Sequence, residues 1–431
     1  MKRFTKGVIT TAALALLLTG CGKKNDSEEV TIKYWNFPNF TNDQEFPDSA
    51  DYDAALIKAF EEKNPTIKVE YQKIDFTDGP AKVETAIQSK TNPDVIYDAP
   101  GRVIDWASKG YLKEFADVDT KQLDASAVKA SSLDNKLYLY PQGIAPFLMA
   151  VNTNVTDKLG ITDLLPLDKE DNPGRNWTVD EFETFLKAVK EKDPEMIPTL
   201  LYAKSAAGDQ GPRAFVSNLY GSWITDEAIS EYTINNEQGV KGLEWVAKAS
   251  KEGLLGSGQG LESKDGQEYF KSNKTAISIL SSPGLRTQHM QGSDMNARFL
   301  PYPNDAKAPK YEFLVAGPAV FDNGDDAKAA AAQKFADFMI NDEVWGKRTL
   351  LATGNFSAQQ GQTGLYDDAE LKFAESLTPQ FGPYYNTIEG YAKMRPYWFP
   401  MLQSVMSGEA EPKAAADAFV EKANNTIKEA Q

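Results

Sequence analysis

The chain has very few of the side chains that enzymes use for nucleophilic and metal chemistry. Its 431 residues include one cysteine, Cys21, and one histidine, His289. Ser-His and Cys-His nucleophilic pairs and histidine-ligated zinc sites need more than this. We therefore predict no catalytic residue, no metal site and no cofactor, and we interpret His289 as a lone surface residue.

Carboxylates are abundant, but they do not identify an active site. Aspartate and glutamate total 62 residues, so pairing along the sequence cannot single out the two carboxylates of a glycosidase. The run Asp322–Asp326 lacks the spaced ligands and the distal glutamate of a calcium-binding EF-hand loop. We interpret this run as a solvated turn before a helix.

The single cysteine follows a short apolar segment near the N-terminus. A basic start containing Lys2 and Arg3 precedes the apolar run Val8–Leu18, which is too short to span a bilayer. The sequence Leu-Thr-Gly-Cys ending at Cys21 resembles the lipobox of bacterial lipoproteins. We predict a lipoprotein signal peptide over residues 1–20, diacylation of Cys21 and a flexible tether over residues 21–29. The alternative is an ordinary signal peptide with an incidental cysteine.

The composition limits the partners and the size of the folded body. Lysine and arginine total 46 against 62 acidic residues, which gives a net charge of −16 and makes nucleic acid an unsuitable partner. If Cys21 is acylated, the exported body has no thiol left to form a disulfide. About 400 residues exceed the size at which single cores stop growing, so we expect two lobes.

Hydrophobic periodicity near the N-terminus predicts alternating strands and helices. Strands are expected at Val30–Trp35, Thr66–Lys73 and Val95–Tyr97, and helices at Tyr52–Lys63 and Pro80–Ser89. This βαβαβ order predicts an open, mostly parallel sheet with helices on both faces. Ligands on such sheets bind beyond the carboxyl ends of the strands, so the loops after Trp35 and Tyr97 are candidate binding loops.

Aromatic residues are plentiful, with 7 Trp, 18 Tyr and 22 Phe. Several occur beside turn residues and amide or charged side chains, in the segments 34–40, 138–142, 381–386 and 395–399. Sugars need such a mixture, because their C–H faces stack on aromatic rings and their hydroxyls need polar partners. The alternative is that these aromatics belong to the core.

Longer segments resemble the extracellular solute-binding proteins that serve ABC sugar importers, and are close in pattern to the maltose-binding group. The most specific segment is NPDVIYDAPGRVIDWASKGYLKEF from Asn92. Others begin at Lys136, Asn176, Tyr269, Leu314 and Leu351, and the resemblance covers essentially the whole mature chain. Phe356-Ser357 departs from the usual Thr-Gly-x-x-Pro-Ala pattern in the last of these.

The resemblance implies an α/β fold of the type II periplasmic-binding-protein class, with two lobes that close on a ligand. Each lobe is expected to be a mostly parallel sheet flanked by helices. The N-terminal lobe is predicted over residues 30–142 and 314–370, and the C-terminal lobe over residues 143–313 and 371–431. Hinge crossings are expected near Gly143 and Val315.

The resemblance also implies a set of ligand-binding residues. Arg102 keeps the planar fork that can bond two adjacent hydroxyls, whereas Asp98 stands where relatives often carry an aromatic ring. The segment containing Gln210 also includes Arg213, and the loop at Ser282 extends to Gly284. The predicted ligand-binding set is Trp35, Asn39, Asp98, Arg102, Gln142, Phe147, Gln210, Trp223, Ser282, Tyr384, Tyr397 and Trp398.

We therefore predict a non-enzymatic, monomeric receptor that captures a sugar, expected to be an oligosaccharide, and delivers it to an ABC transporter permease. Cys21 would anchor it on the extracellular face of the cytoplasmic membrane of a Gram-positive cell. Arg102, Arg213 and Arg395 leave open a receptor for an anionic sugar or a glycerol phosphate ester. An extracellular carbohydrate-active enzyme and an adhesin or scaffold are the other classes left open.

Overall fold

The computed structural model describes residues 29–37, 43–75, 78–206 and 208–430. The predicted signal peptide, Cys21 and all of the tether except Glu29 lie outside the described residues, and so does the predicted site residue Asn39.

The strands are β1 Val30–Asn36, β2 Ile67–Lys73, β3 Val95–Asp98, β4 Ser132–Leu133, β5 Lys136–Leu137, β6 Gly143–Pro146, β7 Leu148–Asn152, β8 Ile197–Tyr202, β9 Leu255–Gly258, β10 Thr275–Ser281, β11 Ala297–Leu300, β12 Phe313–Val320 and β13 Phe356–Ser357. The helices are α1 Ser49–Lys63, α2 Gly79–Gln88, α3 Pro100–Ser108, α4 Ala125–Ala130, α5 Thr153–Leu159, α6 Val179–Lys192, α7 Gln210–Leu219, α8 Glu237–Lys251, α9 Ser263–Lys271, α10 Pro283–Met290, α11 Asp326–Asn341, α12 Trp345–Thr353, α13 Ala369–Ser376, α14 Tyr391–Ser407 and α15 Pro412–Lys428. Short 3-10 helices lie at Thr120–Gln122, Thr162–Leu164, Thr378–Gln380 and Tyr385–Thr387.

The first sheet has the strand order β13-β6-β12-β3-β1-β2. Strands β2, β1 and β3 are parallel, with Val30 paired to Ile67 and Tyr34 to Val95. The N-terminal βαβαβ prediction is confirmed. Strand β12 runs antiparallel to β3 and β6, and β13 runs antiparallel to β6. The sheet is therefore mixed, because β12 enters it from the other lobe and runs opposite to the βαβ strands.

The second sheet has the strand order β11-β7-β10-β8-β9 and repeats this arrangement. Strands β9, β8 and β10 are parallel, whereas β7 runs antiparallel to its two neighbours, β10 and β11. Each lobe thus combines the predicted parallel unit with antiparallel strands that lead to or from the other lobe. The result is a two-lobed α/β fold with helices packed on the sheets.

The chain changes sheet at positions close to one another. It leaves β6 at Pro146 and enters β7 at Leu148, so Phe147 is the first crossing residue. It returns through residues 301–312, between β11 and β12. Gly143 pairs with Ala316 inside the first sheet, so the expected hinge positions are strand residues a few positions from the crossings. The lobe boundaries remain a prediction, although β6 belongs to the first sheet.

Helix α13 follows β13 of the first sheet, and ion pairs bind it to the second lobe. Glu370 is buried and accepts two hydrogen bonds from Arg175, at 2.6 and 2.7 Å, and one from Arg298, at 2.9 Å. Asp368, just before the helix, pairs with Arg286 at 3.1 Å. These contacts attach the chain to the second lobe from residue 368 onward, slightly before the predicted boundary.

Local predictions elsewhere have mixed outcomes. Thr178 and Glu181 form the predicted capping box at the start of α6. Asp325 accepts a hydrogen bond from the Lys328 backbone N–H, so the acidic turn caps α11. The surface interpretation of His289 is wrong, because its side chain packs against Phe270 and the residue is 4% exposed.

The helices described here include none that is both long and apolar enough to cross a membrane.

Candidate functional site

A cleft of about 800 Å³ is lined by residues from both lobes and from the crossings. The carboxyl end of β3 supplies Asp98, and the loop before α7 supplies Asp209. Strand β10 leads directly to Ser282, the N-cap of α10, whose side chain accepts from the Leu285 N–H. The loops at the carboxyl ends of parallel strands therefore form the opposing walls, as expected for open α/β sheets.

The first-lobe wall carries a carboxylate paired with a guanidinium. Arg102 Nε donates to Asp98 Oδ2 at 2.7 Å, and Arg102 Nη2 also contacts Asp98. Asp98 accepts a further bond from the Ala99 N–H. Burial would lower the pKa of Arg102, but the Asp98 carboxylate more than offsets this effect and raises that pKa. The pair leaves this wall nearly neutral in charge.

The second-lobe wall carries a similar pair. Arg395 donates to both carboxylate oxygens of Asp209, at 2.9 and 3.1 Å, and also contacts the Ala206 carbonyl. Burial acts to lower the pKa of Arg395, but the Asp209 charge prevails and raises it. Each wall of the cleft thus presents an aspartate that is already engaged by an arginine.

Behind the second wall, a buried ionic network connects the cleft to the crossings. Arg213 is 0% exposed and contacts Asp209 on one side and Glu312, at 3.6 Å, on the other. Its Nε donates to the Tyr385 hydroxyl at 2.6 Å, and this hydroxyl in turn contacts Glu312. Burial raises the pKa of Glu312 to about 7, although Arg213 opposes the shift. The Glu312 carbonyl also accepts the Phe147 N–H.

Two amide side chains that line the cleft have unused hydrogen-bonding atoms. Gln210 Oε1 and Asn386 Oδ1 are buried and have no hydrogen-bond partner among the described residues. A buried polar atom without a partner costs free energy, typically about 1 to 3 kcal/mol. Both side chains line the cleft, so their amide groups are candidates for hydrogen bonds to a ligand.

Aromatic rings supply the apolar part of the lining. Phe147, Tyr384 and Tyr391 are partly exposed in the cleft, and Phe313 lies behind them. Phe313 stacks on Phe381 at 4.2 Å and meets Tyr384 edge-on at 5.1 Å. These contacts pack the Tyr384 ring against the wall of the cleft.

Several residues of the predicted ligand-binding set line this cleft. They come from α3 and the end of β3, from the first crossing, from the starts of α7 and α10, and from the late aromatic segment. They are Asp98, Arg102, Phe147, Gln210, Ser282 and Tyr384. Their role in binding remains a prediction.

Other residues of the predicted set lie away from the cleft. Gln142 is buried, accepts the Tyr97 hydroxyl at 2.9 Å and donates to the Met339 carbonyl at 2.5 Å. Trp398 is 1% exposed and packs edge-on against Phe419. Both have structural partners that account for their position.

The three other aromatics of the set also face elsewhere. Trp35 borders a separate, shallow depression. The Lys82 ammonium group lies over its indole ring, 5.6 Å from the ring centroid. Trp223 packs so closely on Gly382 that a Cβ there would lie 2.6 Å from the indole. Tyr397 is exposed beside Lys422.

Several residues that line the cleft were not in the predicted ligand-binding set. Asp209, Asn386 and Tyr391 line the cleft, and so does Gln288, one helical turn after Gly284. Asn386 ends a segment that the aromatic pattern had singled out. Asp209 directly precedes the predicted Gln210, so a wider window around each predicted residue would have included both.

Comparison with known proteins identifies the family to which the chain belongs. Residues 45–344 match the family model described as bacterial extracellular solute-binding protein, which is well over half of the chain. The chain belongs to this family. Members of the family are extracellular, and the described two-lobed fold agrees with the assignment.

Similarity to sugar-binding relatives extends over nearly the whole chain. A galactooligosaccharide-binding protein of Bacillus subtilis (strain 168) is 26% identical over 97% of this chain and 96% of its own length. A solved ABC substrate-binding protein from Listeria monocytogenes in complex with cycloalternan has a TM-score of 0.75 at 20% identity, covering 93% of this chain and all of that one. A maltose-binding periplasmic protein from the same species, in complex with maltose, has a TM-score of 0.70 at 18% identity, covering 94% and 99%. The two structures support the fold of this family member.

Proposed function

We propose that this solute-binding protein is a lipid-anchored receptor that captures an oligosaccharide between its lobes and delivers it to the permease of an ABC importer. The relatives named above bind oligosaccharides or maltose, according to their descriptions. Cys21 would anchor the receptor at the outer face of the membrane, and the body would act as a monomer.

The balance of charge in the cleft is the observation that carries this proposal. Arg102 is paired with Asp98 and Arg395 with Asp209, so each cation that lines the cleft among the described residues has a carboxylate partner. The buried Arg213 behind the wall shares Asp209 and also contacts Glu312. The free acceptors on Gln210 and Asn386 suit hydroxyl donors, and the Tyr384 and Tyr391 rings suit sugar C–H faces. A neutral, polyhydroxylated ligand matches this lining better than an anionic sugar or a glycerol phosphate ester does.

The same pairing supports a binding role over a catalytic one. A glycosidase needs one carboxyl group free to donate a proton and a second free to act as nucleophile or base. In this cleft Asp98 and Asp209 are both engaged by guanidinium groups. We therefore expect no turnover of a bound sugar.

The test is calorimetric titration of the purified protein with maltotetraose, a β-1,4-galactooligosaccharide and glycerol 3-phosphate, followed by chromatography for products. We expect Asn386→Ala and Gln210→Ala each to weaken sugar affinity roughly fivefold to tenfold, because each removes about one hydrogen bond. Asn425→Ala, on the exposed face of α15, is the control and should bind as wild type. Product formation would contradict the receptor role, and tight binding of glycerol 3-phosphate alone would favour the anionic ligand.

A further inference from the structure

Two glycines from different lobes face each other beside the cleft, where Gly284, Thr353 and Asn355 line it. A Cβ on Gly354, at the end of α12 in the first lobe, would lie 3.0 Å from the Gly284 nitrogen and 3.2 Å from its Cα. A Cβ on Gly284, in the first turn of α10 in the second lobe, would lie 3.1 Å from the Thr353 carbonyl oxygen. The backbones of the two lobes therefore contact each other directly at this point.

Local backbone conformation explains only one of these glycines. Gly354 has φ +71° and caps α12 in the left-handed region, where glycine is favoured. Gly284 is in the first turn of a helix and has no positive φ. Alanine at that position would favour the helix. The tight contact with the first lobe, where a Cβ would lie 3.1 Å from the Thr353 oxygen, is a structural reason for glycine at residue 284.

The contact lies close to where the chain crosses between the lobes. Gly354 is two residues before β13, whose Ser357 pairs with Gly143 of β6. Gly284 is three residues after Ser281, which pairs with Leu148, the first residue beyond the Phe147 crossing. A rotation about the crossings moves atoms near them the least and the rim of the cleft the most. A small obstruction at this contact would hold the rim open by a larger distance.

We propose that the Gly284–Gly354 contact is the stop that sets how far the lobes close, and that the missing side chain at Gly284 sets the depth of the closed cleft. This inference rests on the proposed function for its consequence in sugar binding. The backbone contact itself does not depend on any ligand. Gly284 and Gly354 are thus positioning residues for the cleft walls.

Gly284 also lines the cleft, and a second explanation is that a glycine there lets a ligand approach the backbone closely. The two explanations differ in a measurable way. A stop changes the distance between the lobes with or without ligand. A residue that merely makes room for ligand changes affinity and leaves the distance in the ligand-free protein as it was.

The experiment measures that distance by pulsed electron paramagnetic resonance on spin labels at Ala81→Cys and Lys393→Cys, in a Cys21→Ser background. Both positions are exposed and adjoin the cleft-lining residues Pro80 and Ala392 on opposite lobes. Gly284→Ala and Gly284→Leu increase the bulk at the contact in two steps. Gly260→Ala is the matched control, because it also lacks a positive φ and its Cβ would meet nothing within 4 Å.

We expect wild type to show a short-distance population that grows with maltotetraose or galactooligosaccharide. Gly284→Ala should reduce this population and Gly284→Leu should abolish it, with affinity weakened tenfold or more, while Gly260→Ala behaves as wild type. The melting temperature of the ligand-free Gly284→Ala protein should stay level or rise, which separates the effect from misfolding.

A short-distance population that survives Gly284→Leu would overturn the proposal, whether or not affinity changes. So would a wild-type protein that lacks this population both free and with sugar. If wild type binds none of the sugars but Gly284→Leu still removes the short distance from the ligand-free protein, the proposed function fails and the closure stop stands.

Discussion

His289 shows how a single buried side chain can set a pH limit on stability. It lies against the small apolar cluster of Phe270, Met290 and Met295, and neither ring nitrogen has a hydrogen-bond partner among the residues described. Burial lowers its pKa from 6.5 to about 4, and the charge of Lys271 adds to the effect. The folded protein therefore holds this imidazole neutral at pH values where the unfolded chain protonates it.

We predict that His289→Leu protects the protein against mild acid. Between pH 6.5 and 4 the unfolded state binds the extra proton, so wild-type stability falls as the pH decreases through this range. The variant lacks this loss and should gain up to about 3 kcal/mol relative to wild type by pH 4. Urea unfolding of both proteins at pH 7.5, 6.0, 5.0 and about 4 measures the difference.

The quantity to compare is the difference in unfolding free energy between the variant and wild type at each pH. Other buried groups change stability with pH in the opposite direction to His289. Burial raises the pKa of Asp53 and of Glu312 to about 7, so each makes the folded state less stable as the pH rises toward 7. Both groups are present in wild type and in the variant, and their effects cancel. A stability difference that stays constant with pH would show that His289 titrates in the same range in both states.

At this scale, the sequence does not predict which aromatic side chains face the core and which face solvent. The segment 395–399 contains Pro396, and it looks like a loop because proline ends most helices. In the structure the segment lies inside α14, together with Pro400, and α14 packs against α8 and α15. Helical spacing then turns Trp398 into the core and Tyr397 toward solvent. Packing against α8 and α15 determines these side-chain directions, and the local sequence alone does not predict them.

Elements were far more predictable than side-chain directions. The N-terminal βαβαβ unit was expected within three residues of its observed bounds, because apolar periodicity and the Asn-Pro stops at Pro65 and Pro93 are local signals. The antiparallel pairing of the strands next to the crossings was not predicted. Their place depends on which lobe the chain comes from, which is a property of the whole path and not of any one segment.

Helix α13 illustrates an element held by charge as much as by apolar packing. Glu370 is 5% exposed and accepts from Arg175, from Arg298 and, at 2.7 Å, from the Phe299 N–H. Burial tends to raise the pKa of Glu370, but the Arg175 guanidinium outweighs burial and lowers it. The stability that this ionised carboxylate provides is therefore present above its unfolded pKa and is lost as the pH falls through the folded value.

We predict that Glu370→Gln destabilises the protein by about 3 to 5 kcal/mol at pH 7. The amide keeps the volume but leaves two buried or partly buried arginines without this counter-charge, which is more costly than never having the pair. Urea unfolding measures the loss. Asp168→Asn removes an exposed partner of the same Arg298 and should cost about 1 kcal/mol or less. Equal losses for the two variants would contradict the argument from burial.

At the scale of the whole molecule, we expect the predicted anchor at Cys21 and the cleft to have separate roles. The described residues that line the cleft lie between Pro80 and Arg395 in the sequence. Two acyl chains give stable membrane attachment, whereas a protein with none diffuses away. If Cys21 is the anchor, its loss should change where the receptor is found and leave the cleft unaltered.

We therefore predict that Cys21→Ser releases the receptor from the membrane without changing sugar affinity. Fractionation of cells should find the wild-type protein in the membrane and the Cys21→Ser protein in the medium. Labelled palmitate should be incorporated into the wild-type protein alone. Uptake of the bound sugar should fall severalfold, because an anchored receptor stays at high local concentration beside its permease and a released one is diluted. Ser27→Ala, in the predicted tether, serves as the control. A Cys21→Ser protein that remains on the membrane would mean that another segment holds it there.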